Sequence, residues 1–69
     1  MERAELENRF TYHPPKPDQV ETYERIRAAG LELATLIVDL TPGSREQSLS
    51  ITHIEDAVMW ANAAEARHG

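Results

Sequence analysis

Apolar residues recur at three- and four-residue spacing from Val20 onward, at Val20, Tyr23, Ile26, Leu33, Ile37 and Leu40, which is the repeat of one face of an α-helix. Asp18 stands just before the run and Glu21 three residues later, a capping-box pattern that opens a helix. Thr41-Pro42-Gly43 closes it. The span between these signals is about 23 residues, roughly 35 Å of helix. From Leu31 on, Leu31, Leu36 and Val38 fall outside the stripe and leave Glu32, Thr35 and Asp39 as a narrow polar strip. This half is expected to be covered on several sides.

A second helix follows the Pro42-Gly43 turn. Two capping-box patterns offer a start, Ser44 with Gln47 and Thr52 with Glu55, and the reading preferred here has a break or bend near Ser50. Past Thr52, the residues Ile54, Ala57, Val58, Ala61 and Ala64 share one face, and their small side chains let another helix approach closely. Before the first helix, Pro14, Pro15 and Pro17 hold the backbone extended and exclude a helix interior. Residues 1–17 read as an N-terminal arm or lead-in loop and residues 18–69 as a single all-α domain, an antiparallel two-helix hairpin. There is no internal repeat, low-complexity segment or interdomain linker.

One hairpin cannot cover that many apolar positions, so assembly into a compact homo-oligomeric helical bundle is expected. Size points the same way: a core within 69 residues and 7.8 kDa rarely supplies more than about 3 to 5 kcal/mol without a staple. The chain has no cysteine to provide one. No stretch approaches the roughly 20 apolar residues of a membrane span, and Met1-Glu2-Arg3-Ala4-Glu5 lacks the apolar core of a signal peptide. A cytoplasmic protein without a membrane partner is the expectation. A net charge of -5 argues against long nucleic acids, which require an extended basic footprint. A small anion held by a few arginines is compatible with it.

Arg27 falls inside the apolar arc, between Tyr23 and Ala34 on the helical wheel, where a charge is costly unless paired or hydrated. Two readings stand: it snorkels to the surface or pairs with Glu24, or it contacts phosphate at a subunit seam. Tyr12 sits in the proline-stiffened arm, either as a hydrophobic latch or as a rigid ring that stacks on a base. For Phe10 the latch is expected. Trp60 and Arg67, seven residues apart on one side of the second helix, are read either as projecting together toward a neighbour or as ordinary packing for Trp60 and a C-terminal charge favoured by the helix dipole for Arg67. His13, His53 and His68 lack metal-ligand spacing and read as surface or packing residues. Glu55 and Asp56 point about 100° apart on a helix and cannot converge as an acid and a base. Ser44, Ser48 and Ser50 lack a recognisable base. No enzyme, cofactor or metal is implied.

Two blocks carry more than composition: Asn8-Arg9-Phe10-Thr11-Tyr12-His13-Pro14-Pro15, and Ser48 to Arg67 with its Met59-Trp60-Ala61-Asn62-Ala63-Ala64 string. Together with Tyr23-Glu24 and Ile26-Arg27 they resemble the phage helical-hairpin family that includes anti-CBASS protein 2 and the related hairpin of Thoeris anti-defence proteins. The resemblance implies a homohexamer in the host bacterial cytoplasm, a sponge that sequesters cyclic di- and trinucleotide second messengers without cleaving them. It implies that Tyr12 is the base-stacking tyrosine, Arg27 the basic residue of the first long helix and Arg67 the C-terminal phosphate-binding arginine, with Arg9 and Lys16 as further ligand-binding cations of the arm. Glu65 departs from the aliphatic residue of the family pattern. The alternative is a structural or protein-binding hairpin in which both arginines make intersubunit salt bridges and Tyr12 is a latch.

Overall fold

The computed structural model describes all of residues 1–69 and contains three helices and no strand. They are α1 (Arg3–Arg9), α2 (Pro17–Leu40) and α3 (Arg45–His68). The two long ones, 24 residues each, pack against each other as a helical hairpin.

Three local features differ from the sequence reading. The arm contains a short helix, α1, because Arg3 to Arg9 precede the prolines and carry good helix formers, with an Arg9–Glu5 ion pair of 2.9 Å at i,i+4 spacing. The expected Asp18/Glu21 box does not form. Lys16 is the N-cap, Pro17 occupies the first turn, and Gln19 closes the box by accepting from the Lys16 amide at 2.9 Å through Oε1. Proline fits there because its fixed φ is helical and its missing N–H has no helical partner to lose. The expected break near Ser50 is also absent: α3 runs unbroken from Arg45, capped by the Ser44 hydroxyl, which accepts from the Gln47 amide at 3.1 Å. Thr52 therefore lies inside the helix, where its hydroxyl bonds back to the Ser48 carbonyl at 3.1 Å.

Gln47 closes the turn. Instead of returning to the Ser44 amide, its Nε2 donates to the Thr41 carbonyl and hydroxyl, both at 3.1 Å. Thr41 in turn donates through its hydroxyl to the Ile37 carbonyl at 2.7 Å. The free C-terminal end of α2 is thus satisfied by the first turn of α3.

The seam between the long helices is narrow. At Gly30 they come so close that an added Cβ would lie 2.7 Å from Val58 Cγ2 and 3.8 Å from Ile54 Cγ2. Tyr23, Ile26, Ala34 and Ile37 meet Ile51, Ile54, Val58 and Ala61 along this seam and are half-buried, whereas Val20, Leu33 and Leu40 of the predicted stripe stay exposed. No apolar side chain is fully buried. A single partner helix covers less arc than the wide stripe occupies.

The chain is accordingly thin and open. Its extents are 45 × 29 × 12 Å and its radius of gyration 15.2 Å, against about 11 Å for a compact domain of this length. It exposes 5637 Å², where a folded monomer of its mass is expected to expose about 4,400 Å². No helix is long and apolar enough to cross a membrane.

Candidate functional site

The open end of the hairpin is held by amide side chains reaching for carbonyls. The last carbonyls of any α-helix lack intrahelical partners, and at the end of α3 they are met from the arm and from the first turn of α2. Gln19, 4% exposed and the one buried residue of the chain, donates through Nε2 to the Glu65 carbonyl at 3.1 Å. Asn8 donates through Nδ2 to the Arg67 carbonyl at 3.1 Å, and Lys16 Nζ reaches the Gly69 carbonyl at 3.5 Å.

The turn that carries Tyr12 is built on α1. Thr11 donates its hydroxyl to the Glu7 carbonyl at 2.6 Å, and His13 Nε2 lies 2.8 Å from the Asn8 carbonyl. A carbonyl only accepts, so Nε2 carries the proton. With both neighbours tied back, the Tyr12 ring projects outward and is 80% exposed. Phe10 is 84% exposed, so the expected latch is not made. The Asn8–Arg67 and Lys16–Gly69 hydrogen bonds tie the arm to the end of α3.

The cations divide into two places. Arg67, half-buried, and Lys16 lie at the open end with the Tyr12 arm, while Arg9 is engaged with Glu5. Arg27 stands apart, eleven positions beyond Lys16, or about 16 Å along the helix. It is exposed on the wall of a groove of about 470 Å³ whose lining is mostly apolar: Gly30, Leu31, Ala34, Ile54, Val58 and Met59 among others. The only ion pair in the chain is Arg9–Glu5, so Arg27 is not paired with Glu24, nor with Glu55, which lines the same groove. Of the two non-ligand alternatives for Arg27, pairing with Glu24 is not made, and the side chain reaches water as the snorkelling alternative has it. Arg67 likewise makes no ion pair with Glu65. Trp60 is 68% exposed and Met59 66%.

A second apolar groove, lined by Ile26, Ala29, Leu33, Ala57 and Ala61 with the seam residues Gly30, Ile54 and Val58, opens on the other side of the seam. On a wheel of 100° per residue, Arg27, Leu31 and Ala34 fall to one side of Gly30, and Ile26, Ala29 and Leu33 to the other. Both broad faces of the hairpin are thus apolar and uncovered.

The description of the Acb2/Tad1 hairpin domain matches residues 2–66. The chain belongs to the Acb2/Tad1 hairpin-domain family. No curated protein and no solved structure matches it. Tyr12, Arg27, Arg9 and Lys16 lie within the part matched to the Acb2/Tad1 hairpin, and Arg67 just past its end.

Sequence reasoning missed Asn8, Gln19 and Gln47 as the residues that close the two ends, and Gly30 as the point of closest approach. Amide side chains leave no periodic signal. Gly30 did have one, since it lies on the helical face shared by Tyr23, Ile26 and Ile37, where a residue without a side chain marks a close neighbour.

Proposed function

We propose that the chain is a non-enzymatic sponge that sequesters cyclic di- and trinucleotide second messengers, within the anti-CBASS role that fits the Acb2/Tad1 hairpin family, and that it does so as a homohexamer. The observation that carries this reading is Arg27, a cation without an ion-pair partner on the wall of an open apolar groove. A second subunit laid over that groove removes Arg27 from much of its water, and an unpaired charge in such a place costs several kcal/mol unless an anion meets it. A bound phosphate meets that need.

Two open faces favour an assembly larger than a dimer, because one isologous contact covers only one of them. The excess surface of about 1,200 Å² over a compact monomer exceeds the roughly 800 Å² that each partner commits to a standard interface. Area does not fix the number six, which is what the resemblance of the two motif blocks implies.

A cyclic dinucleotide presents two bases and two phosphates. At a twofold seam each subunit contributes one Tyr12 ring and its cations, Arg27 or Arg67, so every contact is made twice. Tyr12 is suited to stacking, being exposed and held on a turn whose flanking residues are both tied back. Stacking is worth about 1 to 3 kcal/mol per base and a charge-assisted hydrogen bond about 1.5 to 3. Four to six such contacts suffice for the roughly -12 kcal/mol of nanomolar binding after ordering costs. The separation of Arg27 from Arg67 along the hairpin leaves room for a second site, where cyclic trinucleotides bind. A thermal-shift screen against a panel of cyclic di- and trinucleotides tests the reading. Upward shifts with members of the panel and none with linear dinucleotides are expected; no shift with any of them favours a purely structural hairpin.

A further inference from the structure

We propose that Asn8 is a positioning residue for the ligand site, the hub through which the Tyr12 turn and the Arg67 end of α3 are held as one unit. The inference rests on the sponge reading for its ligand and on the hydrogen bonds alone for its mechanics. Its two ends point in different directions. The Asn8 carbonyl accepts from His13 Nε2 at 2.8 Å, and its side-chain amide donates to the Arg67 carbonyl at 3.1 Å. Thr11, the other neighbour of Tyr12, is tied one residue earlier, to the Glu7 carbonyl. The order Tyr12, His13, Asn8, Arg67 is therefore a continuous chain of covalent and hydrogen bonds.

Nothing else holds the arm as firmly at that point. α1 has seven residues, none of them buried, and a helix that short is marginal in water without a tertiary contact. Phe10 does not pack on the hairpin, being 84% exposed. Gln19 secures the start of α2 on the other side of the prolines, so it leaves residues 3–13 free to swing if Asn8 lets go. Without the Asn8 bond the Tyr12 ring would have to be ordered at the moment of binding, and that cost would be subtracted from affinity.

The test uses the full chain and two variants. Asn8→Ala removes the amide, whereas Asn8→Asp keeps its size and places a carboxylate oxygen where the donor was, facing the Arg67 carbonyl. A role in packing predicts that Asp behaves as wild type; a role as donor predicts that Asp fails as Ala does. Hydrogen exchange without ligand reads the mechanics: the hydrogen-bonded amides within Arg3–Arg9, those from Leu6 on, are expected to exchange faster in both variants while those at the centre of α2 and α3 do not change. Calorimetry with cyclic GMP-AMP reads the consequence. Losing one part-buried hydrogen bond is expected to weaken binding between about twofold and tenfold.

A double-mutant cycle with Tyr12→Ala separates positioning from general stability. If Asn8 acts through the ring, removing it from the Tyr12→Ala protein changes affinity little. An equal loss in both backgrounds, or unchanged exchange in Arg3–Arg9, overturns the proposal. Should wild type bind neither cyclic GMP-AMP nor any other member of the cyclic di- and trinucleotide panel, the ligand role fails with the sponge reading, and the exchange comparison still decides whether Asn8 anchors the arm.

Discussion

Gln19 is enclosed at the open end and makes two hydrogen bonds, from the Lys16 amide and to the Glu65 carbonyl. Gln19→Ala leaves the Lys16 amide without its partner and takes one of two donors from the Glu65 carbonyl, which keeps the Gly69 amide at 2.9 Å. A loss of about 1 to 3 kcal/mol is expected, several degrees or more in melting temperature for a domain this small, measured by thermal unfolding at fixed protein concentration. Tyr12 and Arg27 behave otherwise, since neither contributes to the packing of one hairpin. Tyr12→Ala is expected to leave the melting point of the free protein unchanged and to weaken cyclic dinucleotide binding roughly tenfold or more. Arg27→Ala is expected to weaken it more at low salt than at high salt, because part of what it supplies is screened attraction to phosphate; titrations at two ionic strengths check this. At this scale the sequence revealed the residues that stand out by contrast, a charge in an apolar arc and a ring beside prolines. It concealed Asn8, Gln19 and Gln47, whose value lies in which carbonyls fold back to meet them.

The long helices were legible because periodicity and punctuation agree: the stripe in α2, the Pro42-Gly43 turn and the cap at Ser44. Their ends were less so. Asp18 and Thr52 are good cap residues by type, yet Lys16 and Ser44 cap the helices, because Pro17 favours the first turn and because Ser44 already satisfies the start of α3. α1 lay outside a reading based on apolar spacing, since its only large apolar residue is Leu6. The hairpin itself turns on Gly30. Gly30→Leu places a branched side chain where even a Cβ would sit 2.7 Å from Val58. Overpacking of this kind costs about 1 to 3 kcal/mol, partly offset by about 1 kcal/mol of better helix propensity. A lower melting temperature at unchanged far-ultraviolet helicity is expected. An equal or higher melting point would mean that the helices separate there at no cost.

The whole chain is a thin sheet of two helices with apolar residues on both faces. Leu31, Leu36, Val38, Met59 and Trp60 are each more than half exposed, and apolar patches of this kind mark surfaces that bind a partner. Leu36→Asp is expected to dissociate or unfold the assembly by setting an unpaired charge in the interface, seen as a drop in scattered-light mass. The surplus of apolar positions was legible in the sequence; the number of subunits in the proposed assembly was not, because exposed area calls for a partner without saying how many. Native mass spectrometry with cyclic GMP-AMP tests the central claim most directly, since one spectrum reports subunit number, ligand number and ligand integrity together. The prediction is a complex of six chains carrying ligand whose mass is unaltered on release. A free 7.8 kDa chain without ligand at saturating concentration, or a released ligand heavier by one water, would contradict it.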